Sequence, residues 1–100
     1  MKKELITIRD KFYKDCEIDE RTLGMIVHHY VSIGEQAASN LTDEKIERVY
    51  QNAIQEDKEA QSKHQVMLIT PEFQKYILTA CQQLYKLPAE VKYDIIKKYL

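Results

Sequence analysis

The sequence predicts an all-α fold, a four-helix bundle followed by a short fifth helix at the C-terminus. Apolar residues recur at helical spacing in several segments of this 100-residue chain, as on the buried face of an amphipathic helix. Capping residues, prolines and short polar turns separate these segments. The length is that of one domain, so residues 1–100 are predicted to form a single helical domain.

The first helix is predicted from Lys2 to Cys16. Charged and polar side chains at Thr7, Lys11 and Lys14 point away from the expected core. The apolar face consists of Leu5, Ile8, Phe12 and Cys16.

The second helix, capped by Asp19, contains the most apolar stretch of the chain, residues 23–38. Both glycines, Gly24 and Gly34, lie in it, and a glycine inside a helix costs about 1 kcal/mol relative to alanine. We therefore expect a close helix–helix crossing at Gly34, with a bend or an end of the helix there as the alternative. The core-facing stripe is Leu23, Ile26, Val27, Tyr30, Gly34, Ala37 and Ala38.

A β-strand is the competing prediction for residues 25–33, because β-branched and aromatic residues crowd this segment. Residues 5–8 and 66–70 are the candidate partner strands. None of the three segments alternates cleanly between apolar and polar residues, and this favours the helix.

Thr42 is predicted to cap a third helix whose core face carries Ile46, Val49, Tyr50 and Ala53. After residue 54 the apolar stripe fails, which indicates either a solvated extension of the helix or a frayed end. Order is expected to return at residues 66–69.

The fourth helix is predicted to begin at Thr70 and Pro71, a capping hydroxyl followed by proline at the first helical position. Its core stripe is Phe73, Tyr76, Ile77, Ala80, Cys81 and Leu84. The last helix begins near Pro88 and is apolar on most sides, with lysines on the remainder. Such a helix is either wedged into the bundle or docks on a partner.

Composition argues against several classes of protein. The formal net charge is −1, so no overall positive field attracts nucleic acid or an anionic membrane. No apolar run approaches the roughly 20 residues of a membrane span, and charges interrupt the N-terminal segment before a signal peptide develops. A cytosolic location is expected, with Cys16 and Cys81 as free thiols; a long-range disulfide is the alternative if the protein is exported.

No catalytic, cofactor-binding or metal-binding pattern is found, and an enzyme is not expected. Adjacent residues on a helix diverge by about 100°, so His28 and His29 are not placed to chelate one ion together. Neither cysteine belongs to a known nucleophile signature, and the sequence contains no glycine-rich phosphate loop.

Two sets of residues are candidates for partner binding. The C-terminal set is rich in aromatic side chains, which supply much of the binding energy at protein interfaces. The second set lies on an uncharged face of the second helix, for which the alternatives are cover by the chain itself, an interface with a partner or a second copy, and plain exposure. The C-terminal set is Tyr85, Tyr93, Ile96, Tyr99 and Leu100. The set on the second helix is Met25, His28, His29 and Ser32.

These features predict a small protein without chemistry of its own that acts by binding another protein. In length and helix pattern, though by no motif, the chain resembles the small intracellular immunity proteins that protect bacteriocin producers, which implies a bacterial protein of regulatory, inhibitory or immunity type. The alternative is a nucleic-acid-binding regulator that uses the basic residues of the first and last helices. These residues are Lys2, Lys3, Arg9, Lys11, Lys14, Lys86, Lys92, Lys97 and Lys98.

Overall fold

The predicted all-α architecture is confirmed in a computed structural model that describes residues 1–65 and 69–100. No strand occurs within these two ranges, and residues 25–33 are helical, so the strand alternative for that segment is wrong. The predictions for residues 66–68, as a strand partner or as the point where order returns, lie outside the described residues. The helices are α1 Lys3–Asp15, α2 Glu20–Ile33, α3 Glu35–Ser39, α4 Asp43–Ser62, α5 Pro71–Lys86 and α6 Ala89–Tyr99.

The helix starts follow the predicted capping residues. A side-chain oxygen at each cap accepts a hydrogen bond from a backbone N–H of the first turn, which otherwise has no partner within the helix. The Asp19 carboxylate accepts from the amide of Thr22 at 2.7 Å. The hydroxyls of Thr42 and Thr70 accept from the amides of Lys45 and Phe73, each at 3.1 Å.

Gly34 divides the predicted second helix into α2 and α3. Its φ of +87° lies in a region that favours glycine, so the helix ends there. The expected close crossing at Gly34 is wrong, because an added Cβ would meet nothing within 4 Å and Ala37 is exposed; of the small residues, Ala38 is buried. The close approach is instead at Gly24, where a Cβ would lie 3.5 Å from Cδ1 of Tyr99.

The core is built from α2, α5 and α6. α6 runs antiparallel to α2, since Lys98 pairs with Glu20 at the start of α2 and Tyr93 bonds to Glu35 just beyond its end. The last helix therefore packs into the bundle with one face. The buried core residues of these three helices are Leu23, Ile26, Val27, Tyr30, Ile77, Ala80, Cys81, Leu84, Val91, Ile95 and Ile96.

α4 lies along α5 and continues to Ser62, so the polar tract after residue 54 is a solvated extension of the helix. Ile46 and Ala53 are buried as predicted, but Val49 is 40% exposed, so its assignment to the core face is wrong. Even α4, at 20 residues the longest helix, is polar along most of its length. None of the described helices combines the length and the apolar character needed to cross a bilayer.

α1 covers the core less completely than its sequence pattern predicts. Phe12 is buried and α1 contacts α6, but Ile8 is 36% exposed and Cys16 is half-buried. The predicted burial of Ile8 is therefore wrong, because the helix rotates this side chain toward a cleft between α1 and α5. Cys16 and Cys81 are both free thiols.

Candidate interaction surface

The candidate contact residues divide between two regions of the surface. Tyr85, Tyr93 and Ile96 lie near the C-terminal end of α2, and Ile96 is itself buried. A separate groove is lined by Met25, His28, His29 and Tyr99. Leu100 is 72% exposed at the end of the chain, and Ser32 is exposed outside both regions.

The α2 groove, of about 600 Å³, lies on the outer face of α2 between the end of α6 and the start of α5. Its walls are partly supplied by the chain itself, through Ile69 and through the Tyr99 ring packed on Gly24. The predicted uncharged face of α2 is thus partly covered from within. No group of three or more possible metal ligands occurs among residues 1–65 and 69–100.

The second region, here called the tyrosine cluster, consists of Glu35, Tyr85, Lys92 and Tyr93. At its centre Lys92 is only 8% exposed, although the sequence pattern places it on the solvated side of α6. Its Nζ lies 3.7 Å from Oε1 of Glu35, 4.7 Å from the centroid of the Tyr85 ring and 5.8 Å from that of Tyr93. A carboxylate and two aromatic faces together stabilise a cation that burial would otherwise penalise.

Tyr93 combines exposure with a fixed position. Its side chain is 53% exposed, yet its hydroxyl donates a hydrogen bond of 3.1 Å to Oε1 of Glu35. This hydrogen bond, together with the carboxylate charge, raises the pKa of the Tyr93 hydroxyl, because both favour its protonated form. The hydrogen bond to Glu35 therefore fixes the orientation of a ring that is more than half exposed.

Tyr30 lies beneath the tyrosine cluster and is 2% exposed. Its hydroxyl has no hydrogen-bond partner within the described ranges. Burial raises the pKa of Tyr30 to about 12, and the nearby charge of Glu35 adds to this effect. Tyr30 lines a pocket of about 280 Å³, the Tyr30 pocket, together with Val31, Gly34, Glu35, Tyr93 and Ile96.

Sequence reasoning missed three residues of this region, Tyr30, Glu35 and Lys92. A signal for Lys92 was present, since it stands four residues before Ile96 and seven before Tyr99, on the same stripe of α6. No comparable signal joined Glu35 to Tyr93, because 58 residues separate them.

The basic residues of α1 and α6 do approach one another, but acidic residues lie between them. Arg9 of α1 pairs with Asp94 of α6 at 3.3 Å, and Lys98 pairs with Glu20 at 3.4 Å. Lys11 and Lys86 both border the cleft between α1 and α5. The surface formed by the two helices therefore carries charges of both signs.

The two thiols are poorly suited to nucleophilic chemistry. Burial raises the pKa of Cys81 to about 12 and also raises the pKa of Cys16, where the charge of Asp15 adds to the shift. Because the thiolate is the reactive form, both thiols are mostly protonated at neutral pH.

Comparison of the chain with protein-family models, with curated proteins and with solved structures found no match. The side chains at the surface of the chain are therefore the basis for a functional proposal. Among these, the tyrosine cluster has the best-defined geometry.

Proposed function

We propose that this chain is a small, non-enzymatic cytosolic protein that acts by binding another protein, in a regulatory, inhibitory or immunity-type role. The tyrosine cluster is its contact surface. The observation that carries the proposal is the state of Tyr93, which is more than half exposed while its hydroxyl is fixed on Glu35. Pre-positioned aromatic side chains are typical anchors of protein interfaces.

The α2 groove is the weaker of the two regions as a contact surface. Tyr99 already packs on Gly24 there, so this ring contributes to the fold of the chain itself. The exposed Met25 and His28 side chains suit a contact between two copies of the chain. Light scattering over a range of protein concentrations tests that homodimer.

Capture of partners from a lysate of the source organism tests the proposal. The baits are the wild type, Tyr93→Ala and Val49→Ala; the last truncates an exposed apolar residue on α4, away from the cluster. We expect Tyr93→Ala to lose a partner that the wild type and Val49→Ala retain. Identical partner sets for all three folded baits contradict the proposal. Tyr99→Ala is a poor variant, because it removes the ring that packs on Gly24.

The second candidate function is binding of nucleic acid, which the contact between α1 and α6 and the nearby Lys11 and Lys86 favour. A salt titration against random duplex DNA separates it from the first. A nucleic-acid-binding protein loses affinity steeply as salt rises, because it releases counterions from the phosphates. The protein-binding proposal predicts no measurable affinity for duplex DNA at any salt concentration.

A further inference from the structure

We propose that the cleft between α1 and α5 binds a small amphipathic carboxylic acid, with one acidic group and an unbranched apolar chain. The site lies apart from the tyrosine cluster, since none of the residues of that cluster lines the cleft. The inference therefore goes beyond the proposed protein-binding function. It follows from the size, the apolar interior and the charges of the cleft.

The size of the cleft suits a small molecule. Its volume is about 580 Å³, which lies inside the roughly 300–1,000 Å³ of typical small-molecule sites. Side chains of α1 form one wall and side chains of α5 form the other.

Ile8, Phe12 and Leu87 give the cleft an apolar interior. Phe12 is buried, whereas Ile8 keeps 36% of its surface exposed although it belongs to the apolar stripe of α1. A ligand chain that covers Ile8 removes this apolar surface from water, which favours binding. The cleft therefore offers apolar surface that the fold itself does not bury.

α1 and α5 run antiparallel along the cleft, so its two ends differ. At one end the Tyr76 hydroxyl, in the first half of α5, donates a hydrogen bond to the carbonyl of Cys16 just after α1. At the other end Ile8 of α1 and Leu87, just after α5, line the same cleft.

The charges of the cleft favour an acidic group at its Leu87 end. Lys86 lies at that end, and Lys11 lies one helical turn closer to it than Asp15 does. Both lysines are exposed, and neither forms an ion pair with an acidic side chain within the described ranges. Asp15 lies toward the opposite end, where it repels an anion. These three side chains carry a net charge of +1, which matches a monoanionic carboxylate.

Titration of the ¹⁵N-labelled full chain with decanoate, below its micelle concentration and followed by NMR, tests the proposal. We expect saturable shifts at the amides of Ile8, Gln83 and Leu87. Decanol has the chain without the charge and acetate has the charge without the chain, so each should bind at least about tenfold more weakly. No saturable response to decanoate, equal affinities for decanoate and decanol, or equally large shifts at Met25 in the α2 groove overturn the proposal.

Chain length separates this site from a general attraction of anions to lysines. From hexanoate to decanoate the affinity should rise, by up to about fourfold for each methylene that the cleft buries. An affinity that does not change with chain length contradicts the apolar part of the assignment.

Lys11→Gln and Lys86→Gln should each weaken decanoate binding by about three- to tenfold and leave decanol binding unchanged, because each removes one charge that attracts the carboxylate. Lys14→Gln is the matched control, since it removes the same charge from an exposed position on α1 that does not line the cleft. Unchanged decanoate affinity in both cleft variants, or an equal loss in Lys14→Gln, contradicts the role given to the two lysines.

Ile8→Gln should weaken decanoate and decanol alike, because it replaces part of the apolar interior and leaves the charges in place. Thermal unfolding shows whether the variant is folded. Full decanoate affinity in a folded Ile8→Gln variant overturns the proposed position of the ligand chain.

Discussion

The core between α2, α5 and α6 and the contact between α4 and α5 are held together in different ways. In the core, large apolar side chains such as Ile26, Leu84 and Ile95 are completely buried. α4 buries Ile46 and Ala53 but contributes no residue to the main core cluster. Burial of apolar area at about 25 cal/mol per Å² therefore stabilises the first region much more than the second.

Polar contacts position α4 on α5 instead. Nζ of Lys75 lies 2.9 Å from Oε2 of Glu47. The same Nζ lies over the Tyr50 ring, 4.6 Å from the ring centroid. The buried Gln82 donates hydrogen bonds to the carbonyl of Leu41 and the carboxylate of Asp43. Exposed ion pairs contribute little to stability, so these contacts set the register of α4 more than they strengthen it. One side of α5 therefore packs strongly in the apolar core with α2 and α6, and its other side packs more weakly against α4.

The largest expected effect comes from truncating a buried core side chain, with an exposed side chain of α4 as the comparison. Ile26→Ala leaves a cavity at a position with no solvent exposure and should lower the free energy of unfolding by about 2–5 kcal/mol. Val49→Ala, on exposed α4, should change it by less than about 0.5 kcal/mol. Urea denaturation measures both, and similar losses would contradict the burial assigned to these two positions.

The two glycines should respond in opposite directions to alanine. Gly34→Ala forces a side chain into a backbone region that essentially only glycine adopts, and should cost about 1–3 kcal/mol. Gly24→Ala should stabilise α2 by up to about 1 kcal/mol, because its Cβ would meet Tyr99 at an ordinary contact distance. Thermal unfolding of both variants measures this, and a loss in Gly24→Ala would mean that the ring cannot accommodate a methyl group.

Removing the cap of α4 should have a smaller effect, concentrated on that helix. Thr42→Ala leaves the amide of Lys45 without its acceptor and should cost about 1 kcal/mol. Hydrogen exchange should accelerate in α4 more than in α2. The control is Thr79→Ala, where the lost hydroxyl bonds within α5 and caps nothing. Uniform acceleration across all helices would show that α4 unfolds only with the whole molecule.

The last prediction compares the reactivity of the two thiols in the folded protein. Because the pKa of Cys81 is raised to about 12, its thiolate fraction at pH 8 is about one in ten thousand and increases about tenfold with each pH unit below that pKa. Iodoacetamide should therefore modify the half-buried Cys16 first, and Cys81 at the rate of unfolding. Equal rates in the native protein contradict the assigned burial.

The sequence predicted the structural features that depend on residues close together in the chain. The caps at Asp19, Thr42 and Thr70 and the stripe from Leu23 to Tyr30 follow from short-range hydrogen bonding and helical periodicity, and they are confirmed. At Gly34 the expected close crossing is wrong and the alternative, an end of the helix, is confirmed; the sequence does not distinguish a glycine needed for close packing from one needed for positive φ.

The tyrosine cluster could be predicted only in part. Tyr85 and Tyr93 were identified by type. Lys92 was assigned to the solvated side of α6, although it shares a stripe with Ile96 and Tyr99. The partner of Tyr93 depends on the antiparallel register of α2 and α6, which brings Glu35 to within 3.1 Å. That register is not encoded in the periodicity of a single segment.

Photo-cross-linking in cells of the source organism tests the central claim most directly. A photoreactive phenylalanine analogue replaces Tyr93 in one variant and Val49, the exposed α4 position, in the other. The protein-binding account predicts that position 93 cross-links to a distinct partner protein and that position 49 does not. Identical cross-linking patterns at the two positions, or no product at position 93, would contradict it.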